Sequence, residues 1–176
     1  MSFKENAVQD LCLNPMTMIA QEWMLITAGN EERGYNTMTA AWGHLGAIWS
    51  KPGHKGYLPT AVAYLRPQRY TKEFVDREDY FTLTFFDESW KEQLGYLGSV
   101  SGRDEDKIAK AGLTPVFGDG TTWFEEAKLV LVCRKLYQQE LKEEGFVDKS
   151  LVDRNYAQRD FHTMYIGEIV KVLVKE

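Results

Sequence analysis

The sequence predicts a mainly β protein, an antiparallel barrel with short helical insertions. Roughly six to eight strand patterns follow one another along the chain, with about three short helices between them, which is too few for regular βαβ alternation. Closure into a barrel is the usual way in which consecutive antiparallel strands pair or cover their edges. At 176 residues we expect one domain, residues 1–176.

The strand patterns differ in strength. The run "YFTLTFF" at residues 80–86 is the strongest, because it is aromatic and β-branched throughout. A second strand is expected at residues 60–65, before Pro67, and a third, buried on both faces, at residues 128–137. The closing stretch "FHTMYIGEIVKVLVK" predicts one long strand in which Gly167 marks a bulge.

Helices and turns follow local signals. Residues 68–79 predict a short helix, and a capping box of Ser89 and Glu92 predicts another that runs to about residue 97. Asp104 and Gly112 predict the start and end of a third helix. Residues 16–29, "MTMIAQEWMLITAG", are expected to form two extended pieces, followed by a polar turn at residues 30–34. Residues 141–160 are expected to form an irregular surface connection.

Composition excludes several classes of function. Apolar residues make up 44% and charged residues 27% of the chain, which is ordinary for a globular protein. A formal net charge of −5 argues against general binding of nucleic acid. No apolar run reaches the roughly 18 residues needed to span a membrane, and the polar N-terminus lacks a signal-peptide core, so a cytoplasmic location is expected. The two cysteines and three histidines lack metal-ligand spacing, so no metal site is predicted.

The stretch "NTMTAAWGHLGAIWSKP", residues 36–52, combines threonines, small residues and tryptophans. Two interpretations are open at this point. The stretch is either a strand that runs into an irregular core-packing loop, or a place where the backbone comes close to a flat ligand.

Two further segments could bind an anion. In "YLRPQRYT", Arg66 and Arg69 lie at a strand-to-helix junction, where free N–H groups and arginine donors suit a phosphate. The alternative is that both arginines pair with nearby acids on the surface. The segment "GSVSGRDEDK", which ends at Lys107, is equally compatible with a phosphate contact and with a solvated loop. His162 is either a structural histidine or a group for proton transfer near pH 7.

Familiar enzyme motifs are missing from the sequence. No GxSxG elbow, GxGxxG fingerprint or P-loop is present, which argues against a serine hydrolase, a Rossmann domain and a P-loop nucleotide site.

The ordered set "WMLITAG…NTMTAAWG…YLRPQRYT…YFTLTFF…GSVSGRDEDK…DFHTMYIGEI" resembles the flavin reductase-like family, close to its flavoredoxin branch. The resemblance covers residues 16–172, and "NTMTAAWG" and "SGRDEDK" are its most specific parts. It implies an antiparallel Greek-key split β-barrel of the FMN-binding type, and a homodimer with FMN at or near the subunit interface.

The resemblance also implies which residues bind FMN. One strand would run past the ring system, and two further segments would approach the phosphate. The implied residues are Asn36, Thr37, Met38, Thr39, Ala40, Trp42, Arg66, Tyr70, Thr71, Ser101, Gly102 and Lys107. It assigns no catalytic residue, and His162 is a candidate only because it lies on a strand that passes the flavin in relatives.

The expected activity is hydride transfer from NADH or NADPH to the bound flavin and onward to an electron acceptor. One alternative is an FMN-binding electron carrier, flavoredoxin-like and without a nicotinamide site, that takes electrons from a redox partner protein. A second is a structural or sensor domain that has lost flavin. The sequence does not distinguish NADH from NADPH, and it does not identify the acceptor.

Overall fold

The computed structural model describes residues 2–176. Its strands are β1 (Phe3–Asn6), β2 (Met24–Asn30), β3 (Gly34–Ala40), β4 (Gly43–Ile48), β5 (Leu58–Leu65), β6 (Tyr80–Phe85), β7 (Pro115–Gly118), β8 (Thr121–Phe124), β9 (Leu129–Glu140) and β10 (Thr163–Lys175). Its helices are α1 (Pro15–Thr17), α2 (Tyr70–Arg77), α3 (Lys91–Ser99), α4 (Lys107–Lys110) and α5 (Ser150–Asn155). The predicted fold class, mainly antiparallel β with helical insertions, is confirmed.

One antiparallel sheet organises the chain, with the strand order β3-β2-β6-β9-β10-β5-β4. The long strand β10 changes partner along its length: residues 163–168 pair with β5, and residues 172–175 pair with β1. Its register against β9 shifts between Ile166 and Gly167, which confirms the predicted bulge. A Cβ atom at Gly167 would lie only 2.8 Å from the Phe81 ring, so the bend leaves no room for a side chain.

Alternate residues of the strands enter two different cores. In β2, Met24, Ile26 and Ala28 pack into the larger core. Leu25 points to the other face, where it packs in a second core with Leu94 of α3. Since side chains alternate across a strand, β2 contributes to both cores.

Several local predictions were wrong. Residues 16–22 are not extended: Asn14 accepts a hydrogen bond from the amide of Thr17, Pro15 starts α1, and a π-helical turn follows at Met18–Glu22. The strength of this start signal, a capping asparagine followed by proline, outweighs the strand propensity of the residues that follow. The hairpin of β7 and β8 was not predicted.

The predicted helix caps also need correction. The helix α3 begins at Lys91 and its cap position, Trp90, makes no side-chain capping bond, so the predicted capping box does not form. The cap of α4 is Asp106 rather than Asp104, because the Asp106 side chain accepts from the amide of Ala109 at 3.1 Å. The connection expected to be irregular contains α5.

Within residues 2–176, no helix is long and apolar enough to cross a membrane.

Candidate functional site

The strand β3 lies at one end of the sheet and pairs only with β2, so half of its backbone groups face away from the sheet. Helices flank this open edge. The Asn36 side chain donates to the Thr71 hydroxyl of α2 at 2.8 Å, and the Thr39 hydroxyl donates to the Leu94 carbonyl of α3 at 2.6 Å. The edge of β3 is therefore fixed between two helices rather than left free.

Two cavities lie along this edge. The Trp42 cavity, about 180 Å³, is lined by Met38, Thr39, Ala40, Ala41, Trp42, Tyr64, Arg66, Arg69 and His162. The Lys107 cavity, about 130 Å³, is lined by Asn36, Met38, Gln68, Arg69, Tyr70, Thr71, Ser99, Val100, Ser101, Gly102 and Lys107. Because Met38 and Arg69 line both, the two cavities adjoin and form one groove.

All of the implied FMN-binding residues except Thr37 line this groove, and so does His162. Thr37 is fully buried on the opposite face of β3. Its hydroxyl lies 2.7 Å from the Thr27 hydroxyl and donates to the Ile26 carbonyl at 3.2 Å. The Thr37 side chain therefore stabilises the pairing of β3 with β2, and only its backbone can contribute to the groove.

Lys107 gives the Lys107 cavity a buried positive charge. Its side chain is only 3% exposed, and its ammonium donates to the Leu97 carbonyl at 2.8 Å and the Val100 carbonyl at 2.9 Å. Burial, together with the nearby charge of Arg69, lowers the pKa of Lys107 to about 8. Both partners are neutral carbonyls, so the ammonium is solvated by dipoles without being neutralised by a carboxylate.

Arg69 adds a second positive charge between the cavities. It precedes the first residue of α2, and its guanidinium donates to the Gly98 carbonyl at 3.1 Å. The first amides of α2 have no partners within the helix, so this junction adds N–H donors to the two cations. Arg69 lies in "RPQRYT" but is not among the FMN-binding residues that the resemblance implies.

Gly102 closes this end of the groove by close packing. A Cβ atom there would lie 2.3 Å from the Asn36 side-chain oxygen and 3.4 Å from the Tyr70 ring. Only glycine therefore allows the segment after α3 to approach β3 and α2 so closely, which keeps the Lys107 cavity small.

Arg66, by contrast, has a charged partner. Its guanidinium forms an ion pair with Asp160, donates to the Asn155 carbonyl at 2.7 Å, and lies 5.2 Å from the centre of the Tyr156 ring. Hydrogen bonds from Arg66 and then Gln68 hold the pKa of Asp160 below its ordinary value. Arg66 lines the Trp42 cavity and not the Lys107 cavity, so its predicted contact with the phosphate remains a prediction, and the geometry favours Arg69.

His162 forms part of an aromatic wall of the Trp42 cavity. The ring is 8% exposed and lies 4.8 Å from the Trp42 ring, centre to centre. Burial, reinforced by Arg66 and Arg69 against the opposing effect of Asp160, lowers the pKa of His162 to about 4. The imidazole is therefore neutral near pH 7, and a proton-transfer role that needs charging at that pH is not supported.

The hydroxyl of Tyr156 lies 2.8 Å from Nδ1 of His162. Burial, more than any other cause, raises the pKa of Tyr156, so the hydroxyl keeps its proton near pH 7. Either this hydroxyl or Nδ1 can be the donor in the hydrogen bond, depending on the imidazole tautomer. Tyr64, which lies on β5 and completes this wall, was not identified from the sequence, although it is two residues before Arg66.

The part of the chain that the structure describes contains no group of three or more histidine, cysteine, aspartate or glutamate side chains placed to hold a metal ion.

A family model for the flavin reductase like domain matches residues 16–176. The chain belongs to this family. The flavoredoxin of Desulfovibrio vulgaris (Miyazaki F) is 26% identical with a TM-score of 0.63, over 88% of this chain and 69% of that protein. A search of the curated proteins found no match.

Two less similar solved structures share the fold. The FMN-binding protein of Thermus thermophilus, solved with bound p-hydroxybenzaldehyde, is 20% identical with a TM-score of 0.60, over 85% of this chain and 70% of that one. The NADH:FAD oxidoreductase SgcE6 of Streptomyces globisporus C-1027 is 13% identical with a TM-score of 0.61, over 88% of this chain and 75% of that one.

Proposed function

We propose that this chain is an FMN-binding oxidoreductase that accepts a hydride from NADH or NADPH on its flavin and passes the electrons to an acceptor. The observation that carries the proposal is the pairing of two unlike cavities in one groove. The Lys107 cavity offers Lys107 and Arg69, neither of which is paired with a carboxylate of residues 2–176. The Trp42 cavity next to it is walled by aromatic and small residues together with Arg66 and Arg69. FMN has the same two parts, a phosphate dianion and a flat ring system.

The phosphate end is assigned to the Lys107 cavity. A phosphate there would meet the Lys107 ammonium, the Arg69 guanidinium and the first amides of α2, with the Ser101 hydroxyl on the same wall. Because the chain is acidic overall, with a net charge of −5, a site for a dianion has to concentrate positive charge locally. This groove does so where α2 begins.

The ring end is assigned to the Trp42 cavity. Its backbone wall is the open edge of β3, where Thr39 and Ala40 allow a flat group to approach closely. The Trp42 and His162 rings wall this cavity, and the neutral imidazole offers a ring nitrogen for a hydrogen bond. FMN, when bound, supplies the atom that accepts the hydride, and the protein supplies position, electrostatics and exclusion of water.

The second candidate function is an FMN-binding electron carrier without a nicotinamide site. The similarity to flavoredoxin, 26% identical over 88% of this chain, supports this candidate. In that case a redox partner protein would deliver the electrons.

The visible spectrum of the purified protein tests the proposal. We expect a yellow protein whose absorbance near 450 nm, roughly where oxidised flavins absorb, falls on anaerobic addition of NADH or NADPH. A yellow protein that keeps its absorbance with both nucleotides supports the carrier. A colourless protein that takes up no added FMN contradicts both candidates.

The proposal includes a cytoplasmic homodimer in which residues 1–176 act as one domain. Its support is an exposed aromatic patch beside the edge strand β4: Trp49 is 42% exposed and lies 6.2 Å from the ring of Tyr137, which is 39% exposed. Sedimentation at micromolar concentration should give twice the mass of the 20.3 kDa chain. A single species at the monomer mass would contradict this part of the proposal.

A further inference from the structure

A third cavity adjoins the groove on the far side of Trp42. This apolar cavity, about 520 Å³, is lined by Pro15, Met16, Ile19, Ala20, Ala41, Trp42, Gly43, His44, Tyr64, Leu141 and Tyr156. Its size falls within the usual range for small-molecule sites. It shares Ala41, Trp42 and Tyr64 with the Trp42 cavity, so a molecule bound in it lies beside whatever occupies the ring end of the groove.

The chemistry of this lining is neutral. Among residues 2–176, no lysine, arginine, aspartate or glutamate lines the apolar cavity. Its polar groups are His44 and the hydroxyls of Tyr64 and Tyr156, and burial raises the pKa of both tyrosines, so both keep their protons. The two phosphates of a nicotinamide dinucleotide would find no cation here. An uncharged aromatic molecule with one hydrogen-bond acceptor matches the lining instead.

The wall made by residues 15–22 is unusual backbone. The turn Met18–Glu22 is π-helical, and it ends at Trp23, whose φ of +72° is uncommon for a residue with a side chain. Lys91 fixes this end, because its ammonium lies 3.3 Å from the centre of the Trp23 ring and donates to the Glu22 carbonyl at 3.3 Å. Unusual helical turns and strained residues of this kind concentrate at functional sites.

We propose that the apolar cavity binds a small, uncharged aromatic carbonyl compound beside the ring end of the FMN groove. This inference rests on the proposed function, because FMN would occupy the neighbouring groove. The binding itself depends only on the lining residues and can be measured without turnover.

The test compares acetophenone with benzoate, which are similar in size but differ in charge at pH 7.5. Calorimetric titration of the FMN-loaded protein should show acetophenone binding at least about ten-fold more tightly than benzoate, since an apolar lining without cations disfavours a carboxylate. Acetophenone should also shift the visible spectrum of the bound flavin, because Trp42 separates the two cavities by a single side chain.

The blocking variant is Ala20→Trp, which puts a large side chain at an exposed position of the cavity wall. It should weaken acetophenone at least about ten-fold by filling the space, with FMN affinity unchanged. Val147→Trp, at a fully exposed residue outside all three cavities, is the matched control and should change neither affinity.

Three results overturn the inference while leaving FMN binding intact: no acetophenone binding at millimolar concentration, equal binding of benzoate, or undiminished binding in Ala20→Trp. If Ala20→Trp instead converts a dimer to a monomer and the wild-type protein binds no acetophenone, the apolar cavity is a contact between copies of the chain, and the inference is wrong. Failure of FMN to bind, with acetophenone still bound, would overturn the proposed function alone.

Discussion

The two cavities of the groove along β3 differ in whether their cationic side chains have acidic partners. In the Trp42 cavity, Arg66 pairs with Asp160, so its charge is offset before any ligand arrives. In the Lys107 cavity are Lys107 and Arg69, the latter of which also borders the Trp42 cavity. Within residues 2–176, both donate only to carbonyls of the segment around Gly98. We infer from this difference that an anion site lies where the cations lack acidic partners, and not wherever basic residues cluster in the sequence.

The largest effect is expected from Lys107→Met. Removing the ammonium takes a charge-assisted contact away from the phosphate, worth about 1.5–3 kcal/mol, so FMN should bind at least about ten-fold more weakly. It also leaves the Leu97 and Val100 carbonyls without their donor, so the free energy of unfolding should fall by about 1–3 kcal/mol. Fluorescence titration and urea unfolding measure the two effects separately. Unchanged FMN affinity would contradict the assignment of the phosphate to the Lys107 cavity.

The same residue predicts a pH dependence. The pKa of Lys107 is about 8 in the flavin-free protein, and a phosphate dianion beside it favours the protonated form and so raises that pKa. FMN affinity should therefore be full between about pH 7, where the phosphate is still largely a dianion, and about pH 8, and it should fall as the pH rises through the pKa of Lys107. Riboflavin, which has no phosphate, should show no such fall. A parallel decline of both ligands would place the titrating group elsewhere.

A glycine pair tests the close packing at the phosphate end. Gly102→Ala forces a methyl group against Asn36, and overpacking of this kind should cost about 1–3 kcal/mol of stability and weaken FMN. Gly95→Ala is the control, because nothing lies within 4 Å of a Cβ atom at that position in α3. The control should be neutral or stabilising by up to about 1 kcal/mol. Thermal unfolding compares the two, and equal effects would contradict the role given to Gly102.

The two threonines of β3 should respond differently. Thr39 lines the Trp42 cavity and Thr37 does not, so Thr39→Val should weaken FMN several-fold, on the order of 1 kcal/mol, through loss of one hydrogen bond to the flavin. It should also lower the free energy of unfolding, because the Thr39 hydroxyl donates to the Leu94 carbonyl. Thr37→Val should lower only the free energy of unfolding, since its hydroxyl bonds Ile26 and Thr27. An FMN affinity that changes in Thr37→Val and stays the same in Thr39→Val would contradict this assignment of the two side chains.

The smallest effect is expected at His162. Because its pKa is about 4, the imidazole should stay neutral between pH 5.5 and 8, and riboflavin affinity should be flat over that range. Two-dimensional NMR of the imidazole nitrogens can follow its protonation directly. A titration centred near pH 6.5 would show that burial does not control this ring.

Features that depend on residues close together in the sequence were predicted better than features that depend on distant residues. Gly167 and the strand around it were predicted because a bulge and an alternating pattern are local signals. Five of the six implied residues in the stretch "NTMTAAWG" line the groove, and their contact with FMN stays a prediction. The extended assignment of residues 16–22 failed because a short apolar run carries no clear period.

The partners of the arginines could not be predicted for a different reason. Asp160 is 94 residues from Arg66 in the sequence, and no local pattern shows that β5 brings one toward the other. The orientation of Thr37 was missed in a similar way, because its partner Thr27 comes from the pairing of β2 with β3. Long-range pairing decides which of two similar residues faces a site.

The most direct test of the central claim is an equilibrium titration of flavin-free protein with FMN and with riboflavin, in the wild type, Arg69→Ala and Arg66→Ala. The account predicts that Arg69→Ala weakens FMN at least about ten-fold, by the loss of a charge-assisted bond, and leaves riboflavin unchanged. Arg66→Ala should change the ratio of the two affinities little, since Asp160 already offsets its charge. If Arg69→Ala weakens both ligands equally, or if Arg66→Ala alone weakens FMN selectively, the phosphate does not bind in the Lys107 cavity.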